Sequence, residues 1–198
     1  MNDVLILVVA TQSCGNLIRR DHTPWTEAAP PVDWQFQPRA TVEDDDTWLQ
    51  IIPYVVLRDR QNQVWAYARH GGDERLRGRR SVGIGGHIER IDQQATLLDT
   101  VVACARRELI EELVRPEDVV LDPQPCGWIH ERETAIGRVH LGLVLVARWT
   151  GHQPPAPRPG EALAALGFVS PATVRADNRF EHWSRLAVAL LDYGRGPS

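Results

Sequence analysis

Lysine is absent from this 198-residue chain: all 22 of its basic residues are arginine. The absence excludes a catalytic lysine and a phosphate loop ending in Gly-Lys-Ser/Thr. Genomic base composition is the plain account of such a bias, and a formal net charge of -4 does not describe a general nucleic-acid binder. Cysteine is scarce as well. Cys14, Cys104 and Cys126 are odd in number and widely spaced, so they form neither a disulfide framework nor a zinc site. A reducing, cytoplasmic setting is the simplest expectation. No run of about 18 apolar residues occurs, so no membrane span is expected. The start, Met1-Asn2-Asp3 followed by Val4 to Ala10, is short and carries an acid where a signal peptide needs positive charge. It reads as a strand. Ser81 and Ser170 have no motif around them, which leaves no nucleophilic triad.

What is present is ordinary for a globular chain, with 43% hydrophobic and 24% charged residues. A chain of this length buries roughly 70% of its unfolded surface and needs no disulfide or metal to hold a core. Residues 1–47 read as an N-terminal strand and an irregular covering segment, broken by Pro24, Pro30, Pro31 and Pro38. Residues 48–198 read as the main domain. Strand signals fall at Leu49 to Leu57, where Pro53 suggests an edge or bulge, and at Gln63 to Arg69. Further strands are expected at Ser81 to Ile88, Val119 to Leu121, Gly127 to His130, Arg138 to Trp149 and Leu166 to Ser170. The clearest helix spans about Leu98 to Val114, with Leu98, Val101, Val102, Ala105, Leu109 and Leu113 on one face and Pro116 ending it. A second helix covers about Arg179 to Tyr193. Antiparallel strands with interspersed helices give an α+β class, a mixed α/β sandwich.

The chemistry concentrates in Arg106-Arg107-Glu108-Leu109-Ile110-Glu111-Glu112-Leu113. Glu108, Glu111 and Glu112 stand at i, i+3 and i+4, so they leave one face of a helix whose other face is apolar. Repulsion among exposed neighbours of this kind is only about 0.2–0.5 kcal/mol per pair and does not by itself demand a metal. Read alone, the helix is first a solvated acidic face partnered by Arg106 or Arg107. A hard divalent cation, which takes oxygen ligands, is the functional alternative. Gly83, Gly85 and Gly86 just upstream favour it, because glycine lets backbone approach closely and offers a carbonyl as a further ligand.

These residues resemble the Nudix hydrolase signature. That signature is a glycine, five residues, a glutamate, seven residues, then Arg-Glu-U-x-Glu-Glu-x-Gly-U, with U bulky and apolar. Arg107 to Glu112 matches its core, no glycine follows, and Leu113 is read here as the residue in the second glycine's place. Counting back seven residues from Arg107 puts Asp99 at the upstream acid. Gly86 and Asp99 are then twelve residues apart instead of five, which implies a seven-residue insertion around Arg90 to Leu98. The resemblance implies a mixed sheet between helices over residues 48 to 194, and Mg²⁺ or Mn²⁺ on Glu108, Glu111, Glu112 and the Gly86 carbonyl. It also implies a supporting ion pair between Arg107 and Asp99. The activity implied is water attack on phosphorus in a nucleoside diphosphate derivative or related small molecule. Glu111 or Glu112 would serve as general base, or else a loop acid beyond the box, for which Glu161 is the candidate ahead of Glu131 and Glu133.

Other residues remain open at this level. Arg77 and Arg79, in the dense basic run Arg75 to Arg80, are candidates for substrate phosphates or members of a solvated turn. His87 is a candidate for substrate contact or for a structural hydrogen bond. His140 and Cys104 read as core residues, and Trp25, Trp34 and Trp48 as covering residues. Two rival functions stand beside the hydrolase. One is a catalytically inactive, ligand-binding regulatory module, suggested by Leu113 and the insertion. The other, isoprenoid diphosphate isomerisation, is disfavoured because no cysteine sits in a suitable motif. No nucleic acid or membrane partner is expected, and pairing of the N-terminal segment with a second copy of the chain is left open.

Overall fold

Two strands made almost wholly of apolar residues run side by side and in parallel. They are Trp48–Arg58 and His140–Trp149, in register from Gln50 opposite His140 to Arg58 opposite Arg148. A parallel pair is covered on both faces, which is why such strands read as continuous hydrophobic runs. The computed structural model describes residues 4–27, 29–31, 33–71 and 78–193. Along the chain its strands are β1 (Leu5–Ala10), β2 (His22–Pro24), β3 (Trp34–Pro38), β4 (Trp48–Arg58), β5 (Val64–Arg69), β6 (Arg80–Ser81) and β7 (Gly83–Ile84). They continue as β8 (Val119–Leu121), β9 (Gly127–Ile129), β10 (His140–Trp149) and β11 (Leu163–Val169). The helices are α1 (Arg39–Val42), α2 (Leu97–Glu112), α3 (Ala135–Val139), α4 (Pro171–Ala176) and α5 (His182–Tyr193). No described helix is long and apolar enough to cross a membrane.

Among the described residues these strands form one mixed sheet, whose main path is β11-β5-β4-β10-β9-β2. The two-residue alternation of β4 and β10 divides the core. Leu49, Ile51, Val55 and Leu57, with Leu141, Leu143, Leu145 and Ala147, pack with Val101, Cys104, Ala105 and Leu109 of α2. Tyr54, Val56 and Val144 face the other way, onto Leu186, Ala187, Val188, Leu190 and Leu191 of α5. The sheet therefore lies between helices, as the resemblance implied. The stretch read as irregular contributes structure too. β1 pairs with β3 and with the start of β4, and Leu7 and Val9 join the α2-side core. Residues 138 and 139, expected in the last long strand, belong to α3 instead.

Pro53 sits in a central strand and not at an edge. On one side β4 is paired with β10 along its length. On the other, β1 leaves after Gln50 and β7 begins at Val55, so the proline falls where no strand competes for its missing N–H. The segment after β7 bridges this gap and reaches β1, where Leu7 N–H donates to Ile88 O at 2.9 Å. Gly85 passes so close to β4 that a Cβ would lie 1.8 Å from Pro53 O. Gly85→Ala is therefore expected to destabilise the chain by about 1–3 kcal/mol or more through overpacking against backbone. Urea unfolding checks this, and unchanged stability would contradict the close approach.

Candidate active site

Helix α2 carries the acidic cluster, and its sequence explains where it begins and ends. Thr96 is the N-cap and accepts from Asp99 N–H at 3.1 Å. At the other end Leu113 leaves the helix with φ -108° and ψ 142°, an extended conformation that any residue adopts. A glycine is the usual stop because it accepts left-handed backbone. Counted along the signature, the glycine position falls on Val114 and not on Leu113, and neither residue has a positive φ, so no glycine is needed. Leu113 is fully buried, its carbonyl accepts from Arg158 Nε at 2.9 Å, and Arg158 N–H donates to Glu112 O at 2.8 Å. The 156–161 loop thus clamps the helix end and brings exposed Glu161 into the field of Glu112.

Arg107 sits at the centre. Its Nε and Nη2 hold the two oxygens of Asp92, each at 2.9 Å, and Nη2 also reaches His87 O at 3.0 Å. Its Nη1 donates to Glu108 at 2.7 Å and Glu111 at 3.0 Å. Those bonds occupy all of its N–H groups, so this arginine orients carboxylates and has nothing left for substrate. The expected Arg107–Asp99 pair does not form. Asp99 accepts from Thr96 Oγ1 at 2.7 Å in the first helical turn, where an acid favours the helix dipole. Asp92 takes the supporting role from within a short capping box with Glu89, at 4% exposure. The sequence contained the signal: five residues separate Gly86 from Asp92, and the extra seven lie between Asp92 and Arg107, in the turn and first residues of α2. Counting back from Arg107 across that insertion reached the wrong acid.

The electrostatics are uneven. Burial would raise the Asp92 carboxyl, but the Arg107 bonds outweigh it and hold it below the usual range. Glu108 is pushed upward, mainly by burial, against the pull of Arg107. Glu112 rises to about 8 because it is buried, with Glu108, Glu161 and Glu111 adding repulsion and Arg69 offsetting part of it. Its Oε2 is buried without any partner. Gly86 lies against the cluster so tightly that a Cβ would come 2.5 Å from Glu108 Oε1. An orphaned carboxylate oxygen, a second acid and a glycine carbonyl segment in close approach fit a hard cation. With Glu108 and Glu111 turned onto Arg107, no three acidic, His or Cys side chains among the described residues converge as a ready-made site.

Beside the cluster a cavity of about 380 Å³ opens over the gap in β4, bordered by Pro53, Tyr54, Gly86, His87, His140 and Trp183 among others. Its hydrogen bonds settle the imidazole roles. Gln50 Nε2 donates to Val42 O at 3.1 Å, so Gln50 Oε1 accepts from His87 Nε2–H at 2.7 Å. His87 Nδ1 is thereby an acceptor, and burial, then His140 and Arg39, lower this histidine to about 4. His140, read as a core residue, is 8% exposed but also lines the cavity, its Nδ1 donating to Ile136 O at 2.8 Å. Glu181 was missed: it stands just before α5 and accepts at Oε1 from Tyr54 OH at 2.8 Å and Ser81 Oγ at 2.6 Å. Arg69 was missed too, since it ends β5 without any motif. Glu131 is consumed by its own turn, accepting from the Glu133 and Thr134 amides, and Glu133 is largely exposed near His182. Arg79 is exposed and donates to Asn178 O, outside the cavity wall; Arg77 lies outside the described residues.

No family model matches the chain. Protein YmaB of Bacillus subtilis (strain 168) is 30% identical over 159 residues, covering 78% of this chain and 76% of that protein. The crystal structure of Tm1382, put forward as a Nudix hydrolase, superposes with a TM-score of 0.74 at 26% identity, over 94% of this chain and 97% of that one. A MutT protein from Methanosarcina mazei Go1 shares the fold at a TM-score of 0.51 and 13% identity, over 75% of this chain and 96% of that one.

Two stability measurements test the geometry. Asp92→Asn is expected to destabilise by about 2 kcal/mol at neutral pH, while Asp99→Asn changes stability by less than about 1 kcal/mol. Because the folded Asp92 carboxyl is held low, its contribution is fully present above the unfolded carboxyl value near 4 and is lost as pH falls from there through the lower folded value. The gap between native and Asp92→Asn should close in acid. Equal losses from both variants in urea melts would return Arg107 to Asp99. For Glu112 the sign is opposite: with its folded value raised to about 8, its stabilising contribution is present in acid and disappears as pH rises through that value. In chelator-treated protein, Glu112→Gln should therefore gain stability relative to native between pH 6 and pH 9, and a gap that does not change over that range would place Glu112 in solvent.

Proposed function

Since the chain belongs to the Nudix hydrolase family, we propose that it hydrolyses a pyrophosphate linkage in a nucleoside diphosphate derivative or related small molecule, with Mg²⁺ or Mn²⁺ as cofactor. The observation that carries this reading is the buried, unpartnered Glu112 Oε2 beside Glu108 and the Gly86 cradle. A buried carboxylate oxygen with nothing to accept is costly, and it is the kind of group a cation satisfies.

Glu108, Glu111, Glu112 and the Gly86 carbonyl would hold the ion, which when bound neutralises phosphate charge and lowers the pKa of a water. Arg107 keeps the carboxylates in register and, with its donors committed, competes with the cation for Glu108 and Glu111 oxygens. Glu161 is the proposed proton acceptor. It is exposed, tied to α2 through the 156–161 loop and close enough to raise Glu112; Glu111 and Glu112 are the alternatives within the box. The organic part of the substrate would enter the 380 Å³ cavity, where the Tyr54 and Trp183 rings, packed edge to face on each other with centroids 5.8 Å apart, form an aromatic wall and His87 Nδ1 offers an acceptor. The missing glycine does not argue for an inactive module, because the helix ends in extended backbone with its carboxylates still presented.

The test is formation of the nucleoside monophosphate and its phosphorylated co-product from a panel of nucleoside diphosphate compounds, with and without Mg²⁺ or Mn²⁺. Turnover should depend on metal and fall by about 100-fold or more in Glu112→Gln. Metal-independent turnover, or full activity in that variant, would overturn the assignment.

A further inference from the structure

Two buried polar atoms of opposite character lack hydrogen-bond partners: Glu112 Oε2 on α2 and Arg69 Nε at the end of β5. Each feels the other's charge, and Arg69 feels Glu181 as well. A guanidinium kept only to balance those acids would place an N–H on a carboxylate oxygen. Arg69 instead donates from Nη2 to the Tyr67 hydroxyl at 3.0 Å, and its Cζ lies 5.4 Å from the Tyr67 ring centroid. The Tyr67 hydroxyl in turn donates to Gly83 O, so the phenol is fixed and offers Arg69 a lone pair. The result is a planar donor fork, anchored at one corner, beside the cavity that Gly86 and His87 also border. Two orphans of opposite sign close enough to feel each other's charge call for an occupant that carries both signs. A cation alone would satisfy the carboxylate and repel the arginine; an anion alone would do the reverse.

Resting on the metal-dependent reading above, we infer that Arg69 is a substrate-binding residue that holds an oxygen of a metal-complexed diphosphate, while Glu112 takes the cation of the same unit. The fork geometry suits a phosphoryl group because two N–H donors can meet two of its oxygens. Arg69 thus differs in task from Arg107, whose donors are spent on the protein.

Calorimetry on the full chain tests this with two probes, Mn²⁺ alone and methylenediphosphonate in saturating Mn²⁺. Arg69→Met should leave Mn²⁺ affinity undiminished, or raise it because a repelling charge is removed, and weaken the diphosphonate by about tenfold or more. Arg69→Lys, which keeps the charge and is the safer variant for folding, should weaken the diphosphonate by a smaller factor, because it lacks the fork. A third readout uses the native chain: the Arg69 Nε–H resonance, assigned through Arg69→Lys, should shift on adding diphosphonate with Mn²⁺ replaced by diamagnetic Mg²⁺. An unmoved resonance, or unchanged diphosphonate affinity in both variants, overturns the role of Arg69 while leaving the metal site intact. Equal loss of both probes in Arg69→Met marks a structural arginine and overturns it too. Failure of the native chain to bind Mn²⁺ overturns the metal site and this proposal together.

Discussion

One guanidinium organises the acidic face of this protein. Arg107 spends every donor it has on Asp92, Glu108, Glu111 and the His87 carbonyl. Without it, Asp92 would be a buried acid with no cation beside it, and the Gly86–His87 backbone would lose a tie to α2. The pairing links three pieces of chain that are separate in sequence: the glycine segment, the short turn at Asp92 and the helix. Its geometry is bidentate and largely sheltered from water, which makes it stronger and more directional than a surface ion pair. The carboxylates are thereby presented on a fixed frame, and Glu112, which Arg107 does not reach, is left as the unsatisfied member.

The second constraint is a gap in the sheet. The central strand β4 loses β1 after Gln50 and gains β7 only at Val55, and the chain fills the interval with glycines because backbone must pass against backbone. Pro53 tolerates the gap because it has no N–H to satisfy there. The cavity opens over this interval, so one irregularity provides the close approach of Gly86 to Glu108 and the room for a ligand's organic part. A fully paired sheet would have neither. The polar groups around the cavity are arranged by local bonds: Tyr67 anchors Arg69, Gln50 fixes the His87 tautomer, and hydroxyls from three elements converge on Glu181.

Much of this was legible in the residues. The three-and-four spacing of Leu98 to Leu113 identified the buried helix, and the same periodicity placed Glu108, Glu111 and Glu112 on its other side. Apolar runs located the two central strands. The upstream acid was misread because a spacing rule crosses an insertion only if one knows on which side of the acid the insertion lies. Asp92 and Asp99 are both acids upstream of Arg107, and only their surroundings, a buried capping turn for one and a solvent-facing helix start for the other, separate them. Pro53 was misplaced because a central proline needs a break in pairing, and pairing is not a local property.

By itself the sequence determined the central strands, the two long helices and the chemistry carried on one of them, because helical and strand periods are short-range and a carboxylate triplet within five residues needs no distant partner. Only the tertiary structure decided which acid holds Arg107, that Leu113 can end the helix without a glycine, and that Arg69, His140 and Glu181 share a cavity with Gly86. Those residues come from β5, β10 and the start of α5, and their meeting depends on the order of strands in the sheet and the gap beside β4. Contacts of that range follow from how layers stack, which no window along the chain contains.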